Sequence, residues 1–191
     1  MLSHYRASLH TVADPIARLL LRARLRPNHL TILGLGVSVA AAHEFFQGRL
    51  RLGAMLLVVA GLFDFFDGAL ARLARTESAF GAFLDSVVDR YSDLLVLLGL
   101  VLFYERQDDH VGVFFTMIAL VGTVMVSYTK ARAQSVGMPC EIGLMERPER
   151  MIMLIGGGLF NLLTPTMIAL AILTNVTAVQ RILYVRRIAR D

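Results

Sequence analysis

The sequence predicts an all-α integral membrane fold, and three observations support this prediction. Its 191 residues are 56% hydrophobic and only 18% charged, which lies outside the usual composition of a soluble domain. Its mean hydropathy is +0.62. Its apolar residues also form runs of roughly 18 or more, the length that a helix needs to cross a bilayer. We therefore expect one membrane domain over 1–191, with a six-helix bundle over about 28–187.

The segment 1–26 precedes the bundle and is predicted to be an interfacial amphipathic helix. Apolar and basic residues alternate there, as in Ile16, Arg18 and Leu19, a pattern typical of helices that lie in the membrane surface. Pro27 and Asn28 then mark a break. Six transmembrane helices are predicted after it, at about 29–47, 52–74, 80–104, 111–130, 151–163 and 165–184. The fifth is short and rich in glycine.

The 19 basic residues are divided unequally between the two faces of this bundle. Most lie before the first span, at the end of the second, between the fourth and fifth, and from Arg181 onward. Since loops rich in arginine and lysine stay in the cytoplasm, we expect a multi-pass protein of the cell membrane with both termini and the acidic helix ends cytoplasmic. The net charge is +4, and the basic residues lie between apolar segments instead of forming one continuous stripe. Anionic headgroups and phosphates are therefore the expected partners, and nucleic acid is not.

Four aspartates occupy the facing ends of the second and third spans. Asp64 and Asp67 are three residues apart, and Asp85 and Asp89 are four apart, so each pair projects from one helix face. Four carboxylates at short range need a positive neighbour in a low dielectric, and hard oxygen ligands favour Mg²⁺ or Mn²⁺. The sequence therefore predicts one or two divalent ions here. The alternative is that these acids are helix caps or form ion pairs with nearby arginines.

Gly68, Gly81 and Arg72 flank the aspartates. The glycines leave room either for close helix approach or for phosphates of a ligand to reach the backbone, and Arg72 is placed to clamp a phosphate oxygen. Asp93 follows Asp89 by one helical turn, where it would orient Arg90 or line the cavity, and a plain ion pair with Arg90 is the favoured expectation.

The pattern D-x-x-D-G-x-x-A-R-x8-G-x3-D-x3-D, which runs from Asp64 to Asp89, resembles the signature of the CDP-alcohol phosphotransferases at every position. The resemblance implies a six-helix membrane enzyme, usually a homodimer, in which an acceptor hydroxyl attacks the β-phosphorus of a CDP-activated lipid such as CDP-diacylglycerol and CMP is released. It implies that Asp89 is the catalytic base and that two ions, Mg²⁺ or alternatively Mn²⁺, are bound by Asp64, Asp67, Asp85 and Asp89. The CDP-lipid would be bound by Asn28, Thr31, Gly68, Arg72, Ser78 and Gly81. For the segment from Asn28 to Thr31, a plain helix N-cap is the alternative.

A second cluster, of basic residues, flanks the loop between the fourth and fifth spans on the same predicted face. By composition alone, these residues are explained as well by anchoring at the cytoplasmic surface. However, SYTKARA followed by ERPER resembles the branch of the family formed by bacterial phosphatidylinositol phosphate synthases and their archaeal relatives. In that branch the matching basic residues hold the phosphate of inositol phosphate. The resemblance thus implies inositol phosphate as the acceptor, bound by Lys130, Arg132, Arg147, Arg150 and Arg181.

Other functions stay open at this point. A phosphatidylglycerophosphate synthase would use glycerol 3-phosphate, but that branch usually shows LDPIADK where this chain has LDSVVDR over 84–90. A transporter or channel would also carry intramembrane acids, more often in mid-membrane and on broken helices. An inactive membrane scaffold would tolerate the loss of any one aspartate.

Overall fold

The computed structural model describes residues 15, 18–22, 26–74 and 76–189. Throughout these ranges the chain is helical apart from turns and short loops, and no strand occurs in them. From residue 26 onward the helices are α1 (Pro27–Phe46), α2 (Leu50–Ala74), α3 (Ala79–Arg106), α4 (His110–Ser135), α5 (Arg147–Leu159) and α6 (Leu163–Ile188). Most of the predicted interfacial helix lies outside the described residues, although Pro15 and 18–22 are helical. The all-α prediction is confirmed for the described part.

Four of these helices, α1, α2, α4 and α6, are long and apolar enough to cross a membrane. Large apolar side chains such as Ile32, Met55, Phe114 and Ile172 are exposed on them. A helix that is apolar on all sides suits lipid and not water. The other two differ, because α3 has 28 residues but carries three aspartates over 85–93, and α5 has only 13 residues. A helix of that length spans about 20 Å, against about 30 Å for the hydrocarbon core.

Helix ends depart from the predicted ones for identifiable reasons. Pro27 is the first residue of α1, with Arg26 at the N-cap, because proline needs no hydrogen-bond partner at that position. Asn28 therefore lies inside the helix, so the alternative interpretation of this segment as a helix N-cap is wrong. Helix α5 begins at Arg147, four residues before the predicted start, and Pro148 lies in its first turn. It ends before Asn161, whose φ of 55° is left-handed and stops the helix.

The bundle is built from helix pairs that bring the polar ends together. Helix α1 packs on α2 and α3, α4 packs on α3 and α6, and α5 lies between α2 and α6. Phe45 and Met167 are completely buried in the core. A Cβ at Gly158 would lie 2.8 Å from the Cβ of Ala54, so the absence of a side chain lets α5 approach α2. The start of α5 is thereby placed beside the end of α2, where the acidic residues lie.

Candidate functional site

Three carboxylates form a compact group at the polar end of the bundle. Asp64 and Asp67 on α2 and Asp85 on α3 each offer an oxygen, and these oxygens all lie within 4.8 Å of one another. Asp67 is buried, and its Oδ2 accepts a hydrogen bond of 2.7 Å from the hydroxyl of Thr31 on α1. We call these three aspartates the acidic cluster. Their donor atoms are hard oxygens at a separation that one cation can span, so the residues present fit a divalent metal.

Asp89, the fourth aspartate of the signature, is joined to this cluster through an arginine. Nη1 of Arg147 lies 2.5 Å from Oδ2 of Asp64 and 2.9 Å from Oδ1 of Asp89. Nε of the same guanidinium lies 3.7 Å from Oδ1 of Asp93. Arg147 begins α5, so the short fifth helix supplies a positive charge directly to the aspartates of α2 and α3.

Two cavities of several hundred Å³ lie at this end, and the smaller, of about 340 Å³, is between the ends of α1, α2 and α3. Asp67 and Asp85 face it from the acidic cluster. It is also lined by all six residues that were predicted to bind the CDP-lipid, which are Asn28, Thr31, Gly68, Arg72, Ser78 and Gly81. Ser78 has a local role as well, because its hydroxyl accepts a hydrogen bond of 3.0 Å from the backbone N–H of Gly81 and caps α3. The fold thus brings together residues that are up to 53 positions apart in the chain.

The larger cavity has a volume of about 550 Å³ and lies between α3, α4, α5 and α6. Four of the five residues predicted to bind the acceptor phosphate line it, namely Lys130, Arg147, Arg150 and Arg181. We call these four the basic cluster. Arg132 does not line the cavity. It is exposed, and its Nη1 donates to the hydroxyl of Ser135 at 3.3 Å.

Arg181 is held more tightly than its neighbours in the basic cluster. Its side chain is 2% exposed, and its Nε and Nη1 donate to the carbonyls of Ile142 at 2.7 Å and Val126 at 2.6 Å. Its Nη2 lies 2.8 Å from Oε1 of Glu146. Three fixed partners set the plane of this guanidinium before any ligand arrives.

The positive charge of Lys130 is balanced by two carboxylates, one in the loop before α5 and one at the N-cap of α5. Its Nζ lies 3.0 Å from Oε2 of Glu141 and 3.4 Å from Oε1 of Glu146. The hydrogen bond and the charge of Lys130 hold the pKa of Glu141 below its usual range. Since Lys130 and Arg181 contact the same oxygen of Glu146, these two cations are held close together.

Asp93 lines the larger cavity, as one of the sequence alternatives had it, but sequence reasoning missed its ion-pair partner. The expected pair with Arg90 is wrong, because Nη1 of Arg90 donates to the carbonyl and the hydroxyl of Ser86 on its own helix. Asp93 instead contacts Arg150, with 2.5 Å between Oδ2 and Nη2. The helical period places Asp93 on the same side of α3 as Asp89, but no local signal identifies a partner that is 57 residues away.

The two cavities meet at Asp85, which lines both of them. A polar cavity rich in small residues therefore lies on one side of the acidic cluster, and a cavity lined by the basic cluster and Arg90 lies on the other. Such an arrangement can hold two phosphorylated ligands with their phosphates on either side of a bound cation.

Comparison with known proteins agrees with this geometry. The family described as CDP-alcohol phosphatidyltransferase matches residues 24–183. The chain is 37% identical to the archaetidylinositol phosphate synthase of Methanothermobacter thermautotrophicus, over 97% of this chain and 94% of that one.

Solved structures of the Mycobacterium tuberculosis phosphatidylinositol phosphate synthase are similar as well. The crystal structure with CDP-DAG bound has a TM-score of 0.84 and 38% identity, over 92% of this chain and 94% of that chain. The crystal structure in complex with manganese and citrate has a TM-score of 0.85 and 39% identity, over 91% of this chain and 88% of that chain. From the family match and these similarities together, it follows that the chain belongs to the CDP-alcohol phosphatidyltransferase family.

Proposed function

We propose that this protein transfers the phosphatidyl group of CDP-diacylglycerol, or of a related CDP-activated lipid, to a hydroxyl of inositol phosphate and releases CMP. The observation that carries this proposal is the meeting of the two cavities at Asp85. One cavity is lined by the residues expected to bind a CDP-lipid, and the other by cations that suit a phosphorylated acceptor. Both substrates can then lie against the same carboxylate, that of Asp85.

The CDP-lipid is proposed to bind in the smaller cavity, with Arg72 beside a phosphate and with Gly68 and Gly81 allowing close approach of the backbone. The acidic cluster, with Asp89, would hold two Mg²⁺ ions, with Mn²⁺ as the alternative. A divalent cation bound here would neutralise the pyrophosphate and the charge that develops on the transferred phosphoryl group. The complex of the mycobacterial relative with manganese supports a divalent metal at this site.

The acceptor phosphate is proposed to bind in the larger cavity, against the basic cluster. Inositol phosphate is favoured because the archaeal and the mycobacterial relative, whose names specify different lipids, are both named as inositol phosphate synthases. The same pair of names leaves two lipid classes as donors, archaetidyl and phosphatidyl. Assays with a CDP-activated ether lipid and with CDP-diacylglycerol, each with inositol phosphate, would decide between them.

Asp89 is proposed to be the base of the reaction. Its ion pair with Arg147 uses Oδ1, and we expect Oδ2 to accept the proton of the acceptor hydroxyl. As this proton leaves, the hydroxyl oxygen forms a bond to the β-phosphorus of the CDP-lipid. The bond between that phosphorus and the bridging oxygen breaks, and CMP departs with that oxygen.

The topology of the chain in the membrane is proposed from the same polar helix ends. The first residues of α1, α3 and α5 and the last residues of α2, α4 and α6 lie together, and Arg186 and Arg187 end α6 on that side. We propose that all six helices of the single domain cross or enter the cell membrane and that this polar end, with both termini, faces the cytoplasm. A homodimer is proposed from the family resemblance alone.

The proposal is tested by CMP release from purified protein in detergent, with CDP-diacylglycerol and Mg²⁺. Inositol phosphate, glycerol 3-phosphate, inositol and serine are supplied separately, and one arm contains EDTA in place of metal. We expect activity with inositol phosphate and Mg²⁺, none with EDTA, and a loss of about 10²–10⁴-fold in an Asp89→Asn variant. Activity with glycerol 3-phosphate alone would keep the reaction and overturn the acceptor. Folded protein that is silent with every acceptor would overturn the enzymatic proposal.

A further inference from the structure

Asp93 lies outside the four-aspartate signature, yet it contacts the site from a buried position. Its side chain is 12% exposed and that of Arg150 is 5% exposed. Oδ2 of Asp93 and Nη2 of Arg150 are 2.5 Å apart. Asp93 is on α3 and Arg150 is on α5, so this contact joins the helix of the signature to the helix of the basic cluster.

Arg150 has few other groups to fix its direction. Its Nη1 donates to the carbonyl of Met145 at 3.1 Å, and its Nε is buried with no hydrogen-bond partner among the described residues. A buried guanidinium is costly without a carboxylate partner. Asp93 therefore balances the charge of Arg150 and sets the direction of its planar fork.

The same carboxylate lies near a second arginine of the basic cluster. Oδ1 of Asp93 is 3.7 Å from Nε of Arg147, and within the described part of the chain this Nε also lacks a hydrogen-bond partner. Both arginines line the larger cavity, as Asp93 does. Two buried guanidinium N–H groups without partners, beside a polar cavity, are donors that phosphate oxygens would satisfy.

Glu146 provides a contrast within the same cavity. It pairs with Arg181, but that guanidinium also donates to two backbone carbonyls and would keep its direction without Glu146. Arg150 has a single carbonyl partner. The effect of a carboxylate on the site should therefore depend on whether its arginine has other fixed partners.

We propose that Asp93 is a positioning residue for the acceptor, which acts by holding Arg150, and secondarily Arg147, in the direction that binds the acceptor phosphate. This inference rests on the proposed function, since it concerns a phosphorylated acceptor in the larger cavity. Asp93 takes no part in the transfer itself.

The test measures the KM for each substrate and kcat in Asp93→Ala and Asp93→Asn. We expect Asp93→Ala to raise the KM for inositol phosphate about tenfold or more, because a charge-assisted hydrogen bond is lost. Asp93→Asn keeps an accepting oxygen and should have a smaller effect. The KM for the CDP-lipid and kcat at saturating acceptor should change less than about twofold, the pattern of lost binding without lost chemistry.

A double-mutant cycle with Arg150→Gln separates positioning from a general structural role. If Asp93 acts mainly through Arg150, adding Asp93→Ala to Arg150→Gln should raise the acceptor KM much less than Asp93→Ala does in the wild type, and the remaining rise would come through Arg147. Asp108→Asn, in the exposed turn before α4, is the matched control and should resemble the wild type. Thermal unfolding in detergent checks that each variant is folded, and Asp93→Asn, which preserves shape, carries the test if Asp93→Ala does not fold.

The outcomes separate this inference from the proposed function. Two results would overturn the positioning role and leave the function standing, if the wild type uses inositol phosphate. The first is an acceptor KM that is unchanged or lower in a folded Asp93 variant. The second is a double variant in which the effects of Asp93→Ala and Arg150→Gln on the acceptor KM multiply. If the wild type uses another phosphorylated acceptor, the same KM test applies to that acceptor. A wild type that uses only acceptors without phosphate would overturn both.

Discussion

The acidic cluster and the basic cluster face one another, but their charges are balanced in different ways. In the acidic cluster three carboxylate oxygens lie within 4.8 Å of one another, and the one ion pair that reaches them in the described part of the chain joins Asp64 to Arg147. In the basic cluster every cation is already paired with a carboxylate, as in Arg150 with Asp93 and Arg181 with Glu146. The negative charge of the acidic cluster therefore calls for a cation from outside the chain, whereas the positive charges of the basic cluster are already balanced by carboxylates of the chain.

This difference has an energetic consequence. A divalent ion bound at the acidic cluster would relieve repulsion between the carboxylates, so we expect its binding to depend on all of them. A phosphate that enters the basic cluster meets cations with existing partners, so its binding energy is the difference between two sets of contacts. Substitutions in the acidic cluster should accordingly have the larger effects.

Asp85 provides the largest expected effect, because it belongs to the acidic cluster and lines both cavities. Asp85→Asn should lower kcat/KM about 10²–10³-fold, as is typical when one stabilising group of a transition state is removed. CMP release measured across a titration of Mg²⁺ checks this, and the variant should also need more metal for half-maximal rate. Activity within about threefold of the wild type would contradict the central place given to this residue.

A comparison of Lys130 with Arg132 tests the basic cluster, and the expected effect is the second largest. Lys130→Gln should raise the KM for inositol phosphate about tenfold, because it removes a charge from the larger cavity. Arg132→Gln should change it less than about twofold, as expected for an exposed charge outside the cavity. Initial rates at varied inositol phosphate provide the measurement. Equal effects of the two substitutions would show that long-range charge, and not contact, governs acceptor binding.

Glu146 and Glu141 provide the smallest effects and sharpen the comparison further. Both contact Lys130, but only Glu146 also contacts Arg181. Glu146→Gln should lower the acceptor KM about two- to fivefold, because a negative charge near the phosphate is removed. Glu141 has a side chain that is 72% exposed, and Glu141→Gln should leave the KM within about twofold. A rise in KM for Glu146→Gln would mean that this carboxylate orients the cations, as Asp93 is proposed to do.

The acidic cluster could be predicted because its geometry is local. Two residues that are three or four positions apart on a helix share a face, so the spacing of Asp64 and Asp67 already places their carboxylates on one side of α2. Asp85 lies near the start of the next helix, and the short connection between the two helices brings it to them. Gly68, Arg72, Ser78 and Gly81 of the smaller cavity were likewise predicted from the segment that joins the ends of two neighbouring helices, whereas Asn28 and Thr31 come from α1. The fold class followed from composition and the length of apolar runs.

The pairs of the basic cluster could not be predicted in this way, since they join residues far apart in the chain. Arg147 and Asp64 are separated by 83 positions, and Arg181 and Val126 by 55. Which face of α4, α5 and α6 turns inward depends on packing, and that information is not local.

Arg132 was assigned to the acceptor site partly because the end of the fourth helix was predicted too early. The fourth span was predicted to end at 130, so Lys130 and Arg132 were placed together at its end. Helix α4 continues to Ser135, and two positions on a helix differ by about 200° in direction. One residue therefore faces the cavity and the other faces away from it.

The sharing of Asp85 between the two cavities also constrains the order of events in catalysis. With donor and acceptor lodged side by side against one carboxylate, the phosphatidyl group has no need to reside on the protein between them. We therefore expect intersecting lines when initial rates are plotted at several fixed concentrations of the second substrate. Radiolabelled CMP should not exchange into the CDP-lipid while the acceptor is absent. A single aspartate shared by the two cavities would thus allow transfer only when both substrates are bound.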